Sequence, residues 1–255
     1  MELVTCFGSI DLTSLNANDT EARIEALVQK VNEFPHHFPH LPQVAAICVY
    51  PSFTALLRKK LTTKEVKIAV VGAGFPASQT FLKIKIEECR MAVEEGADEV
   101  DIVLSLHHFL SGAYEKASEE IAAIKNAIGK AHLKVILETG LLPNAEAIGN
   151  ASRIAMEAGA DFIKTSTGKI EPAATPQATR VMCQEILAYY QKTGKRIGCK
   201  PAGGVVTVAD ALTYHAIVQE VLGPEWLTPS LFRIGASRLA NNLLSAIAET
   251  TVNYF

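Results

Sequence analysis

Glu94–Val100 reads EEGADEV and Glu157–Ile163 reads EAGADFI. Each phrase leaves a run of helical period, crosses a glycine and enters a short apolar run suited to a strand. Gly96 and Gly159 stand where helix-ending glycines stand. The same alternation extends outward in both directions. Strand candidates are Ser9–Leu12, Val44–Tyr50, Val66–Val71, Glu99–Leu104, Leu133–Glu138, Asp161–Lys164, Arg196–Lys200 and Leu231–Ile234. Helix candidates are Asp19–Glu33, Ser52–Leu61, Ala77–Glu95, Glu115–Lys130, Asn144–Ala158, Pro176–Gln191, Val208–Leu222 and Ser237–Ala248. Asp19 is placed to cap the first of these helices. Phe34–Pro42, FPHHFPHLP, reads as a loop between a helix and a strand. Eight strand–helix pairs in this order predict an α/β protein, a (β/α)8 TIM barrel, with residues 1–255 as a single domain. An open doubly wound sheet is the competing arrangement.

Composition bounds the function. The chain has 255 residues, 49 % hydrophobic and 20 % charged, enough to bury a sizeable core and too apolar for disorder. A net charge of −3 argues against a nucleic-acid surface, though not against a local anion pocket. No apolar run approaches the ~18 residues of a membrane span. No Lys or Arg precedes Arg23, so a secretory leader would lack its basic start. Five scattered cysteines (Cys6, Cys48, Cys89, Cys183, Cys199) without a CxxC pair fit reduced thiols in the cytoplasm.

Side chains alternate along a strand. In Glu99–Leu104 the apolar parity is Val100, Ile102 and Leu104, opposed by Glu99, Asp101 and Val103. In Leu133–Glu138, Leu133, Val135 and Leu137 oppose Lys134, Ile136 and Glu138. In the sixth strand Ile163 opposes Phe162 and Lys164; in the seventh, Ile197 and Cys199 oppose Arg196, Gly198 and Lys200. The apolar parity suits packing under helices, so the charged parity points into the barrel. Asp101, Glu138, Lys164 and Lys200 lie at or near the C-terminal strand ends, where barrel enzymes build their sites.

Lys164 and Lys200 end neighbouring strands, which sit ~4.8 Å apart. At ~6 Å and an effective dielectric of about 20, two ammonium groups repel by about 2.8 kcal/mol, worth ~2 pKa units. Partial desolvation lowers one of them further. A neutral lysine near neutral pH is what Schiff-base chemistry on a carbonyl requires. Asp101 beside them suits a proton shuttle working with a water. A buried ion network of two lysines and two carboxylates explains the same residues without chemistry.

Three stretches offer backbone N–H groups at strand ends: Thr165–Lys169 (TSTGK), Ala202–Val205 (AGGV) and Gly235–Ser237 (GAS). Barrels bind phosphate with the loops after strands seven and eight and a helix N-terminus. Lys169 adds charge and Ser237 a hydroxyl. Gly72-Ala73-Gly74 lacks the full GxGxxG and reads as a tight loop. HExxH, GxSxG and a compact His/Cys ligand set are absent, which disfavours metal-dependent and serine-nucleophile chemistry.

These residues resemble a known family. DFIKTSTGK (161–169), CKPAGGV (199–205), GADEVDIV (96–103) and KVILETG (134–140), with IDLTSLN (10–16), AAICVYP (45–51) and FRIGAS (232–237), are similar to the motifs of deoxyribose-phosphate aldolase. The resemblance implies a class I Schiff-base aldolase on a (β/α)8 barrel, with no cofactor and no metal. Its substrate would be a small phosphorylated sugar, 2-deoxy-D-ribose 5-phosphate, cleaved to D-glyceraldehyde 3-phosphate and acetaldehyde in deoxynucleoside catabolism. It assigns Lys164 as nucleophile, Lys200 as the group that depresses its pKa, and Asp101 as proton relay. Lys169 with Gly168, Gly203, Gly204, Gly235 and Ser237 would hold the phosphate; Asp11, Asn16 and Thr167 would orient hydroxyls. The expected setting is cytoplasmic, without nucleic-acid or membrane partners, and the expected assembly is a homodimer. The chain departs from the family at Val206, where an Arg is common, and at Arg238, where a second Ser is common. Some members use a C-terminal tyrosine in proton transfer; here Tyr254 precedes Phe255, and the residues alone read as a disordered tail. Alternatives are a Schiff-base aldolase for another aldehyde pair and a non-catalytic sugar-phosphate-binding barrel.

Overall fold

The computed structural model describes residues 1–255. Eight parallel strands are β1 (Ile10–Thr13), β2 (Ala46–Val49), β3 (Lys67–Gly72), β4 (Glu99–Val103), β5 (His132–Ile136), β6 (Phe162–Lys164), β7 (Gly198–Lys200) and β8 (Ile234–Ala236). Neighbours follow chain order from β1 to β7, and β8 lies beside β1. Between β7 and β8 the continuous ladder gives way to two isolated parallel bridges, Cys199 with Phe232 and Ala202 with Gly235. The Arg233 N–H donates to the Cys199 carbonyl at 3.1 Å and the Gly235 N–H to the Pro201 carbonyl at 3.0 Å, which brings the sheet round into a barrel. The helices are α1 (Glu2–Gly8), α2 (Glu21–His37), α3 (Thr54–Lys60), α4 (Leu82–Glu94), α5 (Leu106–Leu110), α6 (Tyr114–Ile128), α7 (Ala145–Glu157), α8 (Pro176–Thr193), α9 (Val208–Leu222) and α10 (Leu239–Ala248).

The two matching phrases do the same physical job. Gly96 and Gly159 turn their helices out at φ +110° and +103°. The aspartate that follows then accepts from a neighbouring strand. Asp98 Oδ2 takes the Ile68 N–H at 2.9 Å, and Asp161 Oδ2 takes the Leu133 N–H at 2.8 Å. Each phrase thus ends a helix and fixes the register of the next strand. Val100, Ile102, Leu133, Val135 and Ile163 face outward into one large core under the helices. The opposite parity faces inward. On β2 and β3 that inner wall is small, Ala46, Cys48, Ala69 and Val71, and leaves room for long side chains arriving from β4 to β8.

Several boundaries differ from the sequence reading. Thr20, not Asp19, caps α2, its hydroxyl accepting from the Arg23 N–H, while Asp19 binds the Asn16 N–H. The stretch read as a loop from Phe34 is helical to His37, although it contains Pro35. Proline removes the donor that would reach Val31, and the Gln43 side-chain amide donates to that carbonyl at 2.9 Å instead. Phe34, buried between Phe7 and Phe38, anchors the extra turn. The seven-residue α1 was not anticipated, being too short for a periodic signal. β7 begins at Gly198, so Arg196 lies outside the barrel against Tyr190 and Trp226 rather than inside it. β8 begins at Ile234, three residues later than expected.

Gly198 sits where a side chain has no room. A Cβ there would lie 2.2 Å from the Phe162 ring on the adjacent strand. Gly198→Ala is therefore expected to lose about 2 kcal/mol or more of stability, read as a lower midpoint in chemical denaturation. An unchanged midpoint would show that Phe162 moves aside without cost.

Candidate active site

Strand register builds the centre of the site. Lys164 pairs with Lys200 across β6 and β7, and Asp101 pairs with Lys134 across β4 and β5. All four side chains belong to the inward parity. Asp101 Oδ2 accepts from Lys164 Nζ at 2.9 Å and from Lys200 Nζ at 2.7 Å, while Oδ1 accepts from Lys134 Nζ at 3.0 Å. One oxygen shared at these distances holds the Lys164 and Lys200 ammonium groups within the separation assumed from sequence.

Lys200 also pairs with Asp11 Oδ2 at 2.5 Å. Asp11 Oδ1 accepts from Arg233 at 2.6 Å, and Arg233 grips Glu99 with two nitrogens at 3.0 and 2.7 Å. Lys134 reaches Glu99 Oε2 at 2.5 Å. Glu99, Lys134 and Arg233 were not singled out as site residues. Glu99 and Lys134 sat on the charged parity already recognised. Arg233 lies between apolar Phe232 and Ile234 in the expected Leu231–Ile234 strand, and that alternation is the signal that marks it as inward.

Burial and these pairings act on protonation in opposite directions. Burial pushes the Lys164 ammonium down; Asp101 opposes this and Lys200 adds to it, and the result lies below the usual lysine range. Burial also works against charge on Lys200, but Asp101 and Asp11 outweigh it and hold Lys200 above that range. Burial opposes charge on Asp101, and the three lysines overcome it, keeping the carboxylate well below its usual range. The two lysines are thus driven apart, one towards the neutral amine and the other firmly cationic.

Above this network lies an open cleft of about 350 Å³, with Lys164 in its lining. Asn16, Thr167, Gly168, Lys169, Gly203, Gly204, Gly235, Ser237 and Arg238 all line it. Glu138, held at φ +52°, accepts from both the Thr167 N–H at 3.1 Å and its hydroxyl at 2.6 Å, fixing the loop after β6. Lys169 Nζ crosses the cleft to the Leu15 carbonyl at 2.5 Å. The Asn16 amide is held by Asp19 Oδ1 at 3.1 Å. Gly203 adopts φ +86° where a Cβ would lie 3.0 Å from the Gly168 Cα, so the loops after β6 and β7 approach backbone to backbone. Ser237 and Arg238 are exposed, and no carboxylate pairs with Arg238.

Two expected members lie elsewhere. Asp11 is fully buried beneath Lys200 and does not line the cleft, because Lys200 and Arg233 draw it into the network. Tyr254 is also absent from the cleft. Its hydroxyl donates to the Lys30 carbonyl at 2.8 Å, its N–H donates to Asn241 Oδ1 at 2.9 Å, and its ring packs on Phe34 and Phe38. The tail is docked on the outside of the barrel rather than disordered.

A family model described as DeoC/LacD family aldolase matches residues 6–225. The chain belongs to this family of aldolases. It is 44 % identical over 245 residues to the deoxyribose-phosphate aldolase of Homo sapiens, covering 92 % of this chain and 77 % of that protein. It is 42 % identical over 250 residues to the enzyme of the same name from Bos taurus, covering 94 % and 77 %. Among solved structures it resembles QR15, an aldolase, at 30 % identity and TM-score 0.77, covering 96 % of each chain. The tetrameric deoxyribose phosphate aldolase of Aeropyrum pernix aligns at 25 % identity and TM-score 0.74, covering 97 % of this chain and 93 % of that one.

The aldolase's buried carboxylates make its stability pH-dependent. Asp11 and Asp101 titrate below the ordinary carboxylate range when folded. Their contribution is therefore present above about pH 4, the unfolded value, and is lost as pH falls through the folded values. Asp11→Asn is expected to cost about 3–5 kcal/mol at neutral pH, since Lys200 and Arg233 lose a buried partner. Its stability should also fall less steeply in acid than that of the unsubstituted protein. Parallel acid-unfolding curves would show that Asp11 does not carry this dependence.

Proposed function

We propose that this chain is a class I aldolase that interconverts 2-deoxy-D-ribose 5-phosphate with D-glyceraldehyde 3-phosphate and acetaldehyde. The observation that carries the reading is the pair of lysines on one Asp101 oxygen, of which only Lys164 opens to the cleft. The names of the relatives at 42 to 44 % identity supply the substrate.

The neutral Lys164 amine adds to the open-chain aldehyde, forming a C–N bond and moving the carbonyl electron pair to oxygen. A proton passes from nitrogen to that oxygen, giving a carbinolamine. Asp101, hydrogen-bonded to the amine, passes protons between the carbinolamine and water as the hydroxyl leaves. The iminium that results is the electron sink. Removal of the C3 hydroxyl proton breaks the bond between C2 and C3, because acetaldehyde retains two carbons. Glyceraldehyde 3-phosphate leaves as an aldehyde. The enamine on Lys164 is protonated at carbon, and water then hydrolyses the iminium to free acetaldehyde and amine.

Lys200 stays cationic throughout and keeps Lys164 from holding a proton. The N–H groups of the Gly203–Gly204 and Gly235–Ser237 loops, with Lys169, take the phosphate; Arg238 adds a cation to a cleft in which Val206 supplies none. Thr167 and Asn16 orient substrate hydroxyls. Residues 1–255 act as one catalytic unit. The compartment is reducing, the cytoplasm, in keeping with five free and buried thiols. No helix is long and apolar enough to cross a membrane. The assembly is a homodimer; Phe81, just before α4, and Ile84 and Met91 on it leave exposed apolar side chains.

Borohydride in the presence of acetaldehyde is expected to leave an ethyl adduct on Lys164, located by peptide mass spectrometry. Lys164→Ala should abolish both the adduct and turnover. An adduct on Lys200 would reverse the assignment of the two lysines. Full turnover by Lys164→Ala would remove the Schiff-base mechanism. Lys169→Met should raise KM for the phosphorylated sugar about tenfold or more while leaving the unphosphorylated sugar little affected. Equal effects on both sugars would take Lys169 out of the phosphate site.

A further inference from the structure

The ion-paired network inside the barrel holds an unequal number of charges; Glu138, also buried, holds Thr167 and none of these cations. Asp11, Glu99 and Asp101 are carboxylates, and Lys134, Lys164, Lys200 and Arg233 are cations; none is more than 4 % exposed. Three of the cations each hold at least two carboxylates. Lys134 touches Glu99, Asp101 and Asp11; Lys200 touches Asp101 and Asp11; Arg233 touches Glu99 and Asp11. Lys164 holds Asp101 alone. A buried surplus of one positive charge is costly, and the cation with one partner is the cheapest to neutralise.

The groups around Lys164 leave few other ways to settle that surplus. Asp11 on β1, Asp101 on β4, Lys134 on β5 and Lys200 on β7 are tied to one another as described. Cys48 on β2 also faces Lys164 electrostatically, and burial keeps its thiol protonated and uncharged. At the cleft end, Glu138 after β5 accepts from Thr167 rather than from a lysine, and Lys169 reaches the Leu15 carbonyl; the network's other charges lie at the opposite, N-terminal mouth of the barrel. Glu99 and Arg233 line that mouth with His132, Lys67 and Glu65, and His132 Nδ1 is 3.9 Å from Glu99.

We propose that Glu99 is a positioning residue for the lysine chemistry. From the floor of the barrel, through Lys134 and Asp101, it sets how many protons the buried network retains, and so makes Lys164 the member that gives one up. This rests on reading Lys164 as the Schiff-base nucleophile. Glu99 touches no substrate. Its carboxylate holds Lys134 and Arg233 charged, and those cations in turn fix Asp101 and Asp11 as the anions that hold Lys200.

The sign of each substitution follows from the count. Glu99→Gln enlarges the positive surplus, so Lys164 should become neutral at lower pH. Arg233→Met balances the charges, so Lys164 should keep its proton to higher pH. The double variant restores the original surplus of one. Arg233→Lys leaves the count untouched.

The test is the pH dependence of cyanoborohydride trapping of acetaldehyde on Lys164, each variant compared with the unsubstituted protein at the same pH. Glu99→Gln should move the acid limb down by about one pH unit, and Arg233→Met should move it up by about as much. The double variant and Arg233→Lys should return it near its original place. A role confined to folding would lower the trapping rate at every pH and leave the limb where it is, which overturns the proposal. Should Glu99→Gln fail to fold, the double variant and Arg233→Met carry the same comparison. Failure of all three to fold, with Arg233→Lys folded, makes the pair a stability device and also overturns it. No adduct on Lys164 in the unsubstituted protein at any pH removes the Schiff-base reading, and the proposal with it. An adduct whose limb ignores Glu99 removes the proposal alone.

Discussion

Asp101 accepts hydrogen bonds from three lysines, one on each of three other strands, and every one of those side chains is buried. A carboxylate in that position is worth more than any one pair it makes. Without it, three ammonium groups would face one another in a medium where their repulsion is poorly screened. With it, the repulsion is retained in part and directed at a single amine. The inner wall of β2 and β3 makes this possible by being small, because Ala46, Cys48, Ala69 and Val71 leave the centre free for lysine stems. Packing on one side of the barrel thus creates the space in which charge on the other side does chemistry.

The cleft is divided along the same lines. Its floor, at Lys164, is almost fully buried and governed by fixed charges. Its upper wall is backbone and exposed cations, with Lys169 reaching Leu15 and Arg238 unpaired by any carboxylate. These halves suit the two ends of a phosphorylated aldehyde. Carbonyl chemistry needs an amine stripped of its proton, which demands burial. A phosphate brings its own charge and needs only donors at loop ends and a helix start. A barrel supplies both at one rim, since inward strand residues end where the following loops begin.

Much of this was legible in the residues. Alternation in Glu99–Leu104 and Leu133–Glu138 assigned the faces, because a period of two admits only one assignment once the apolar face is known. The GAD phrases marked helix ends, and the structure adds that their aspartates also fix strand register. Other features depended on partners distant in sequence. Pro35 reads as a helix breaker until Gln43 supplies the donor it removes. Arg196 reads as inward by parity until Tyr190 and Trp226 stack on it outside. Asp11 reads as a substrate contact until Lys200 and Arg233 draw it beneath the cleft. Tyr254 reads as part of a loose tail until Asn241 and the Lys30 carbonyl hold it.

The floor of the barrel was the least legible part, and the reason lies in what parity can convey. Glu99 and Asp101 are two residues apart on β4 and share one face, yet one looks towards the cleft and the other towards the opposite mouth. Alternation gives the face but not the depth. Depth is set by the stagger of the neighbouring strands, which places Glu99 level with His132 and Asp101 level with Lys134. The long Lys134 side chain then spans the two levels, touching both carboxylates at once. Two layers that look separate in sequence therefore share their protons. A change at the floor is felt at the rim because charges buried this deeply are poorly screened from one another.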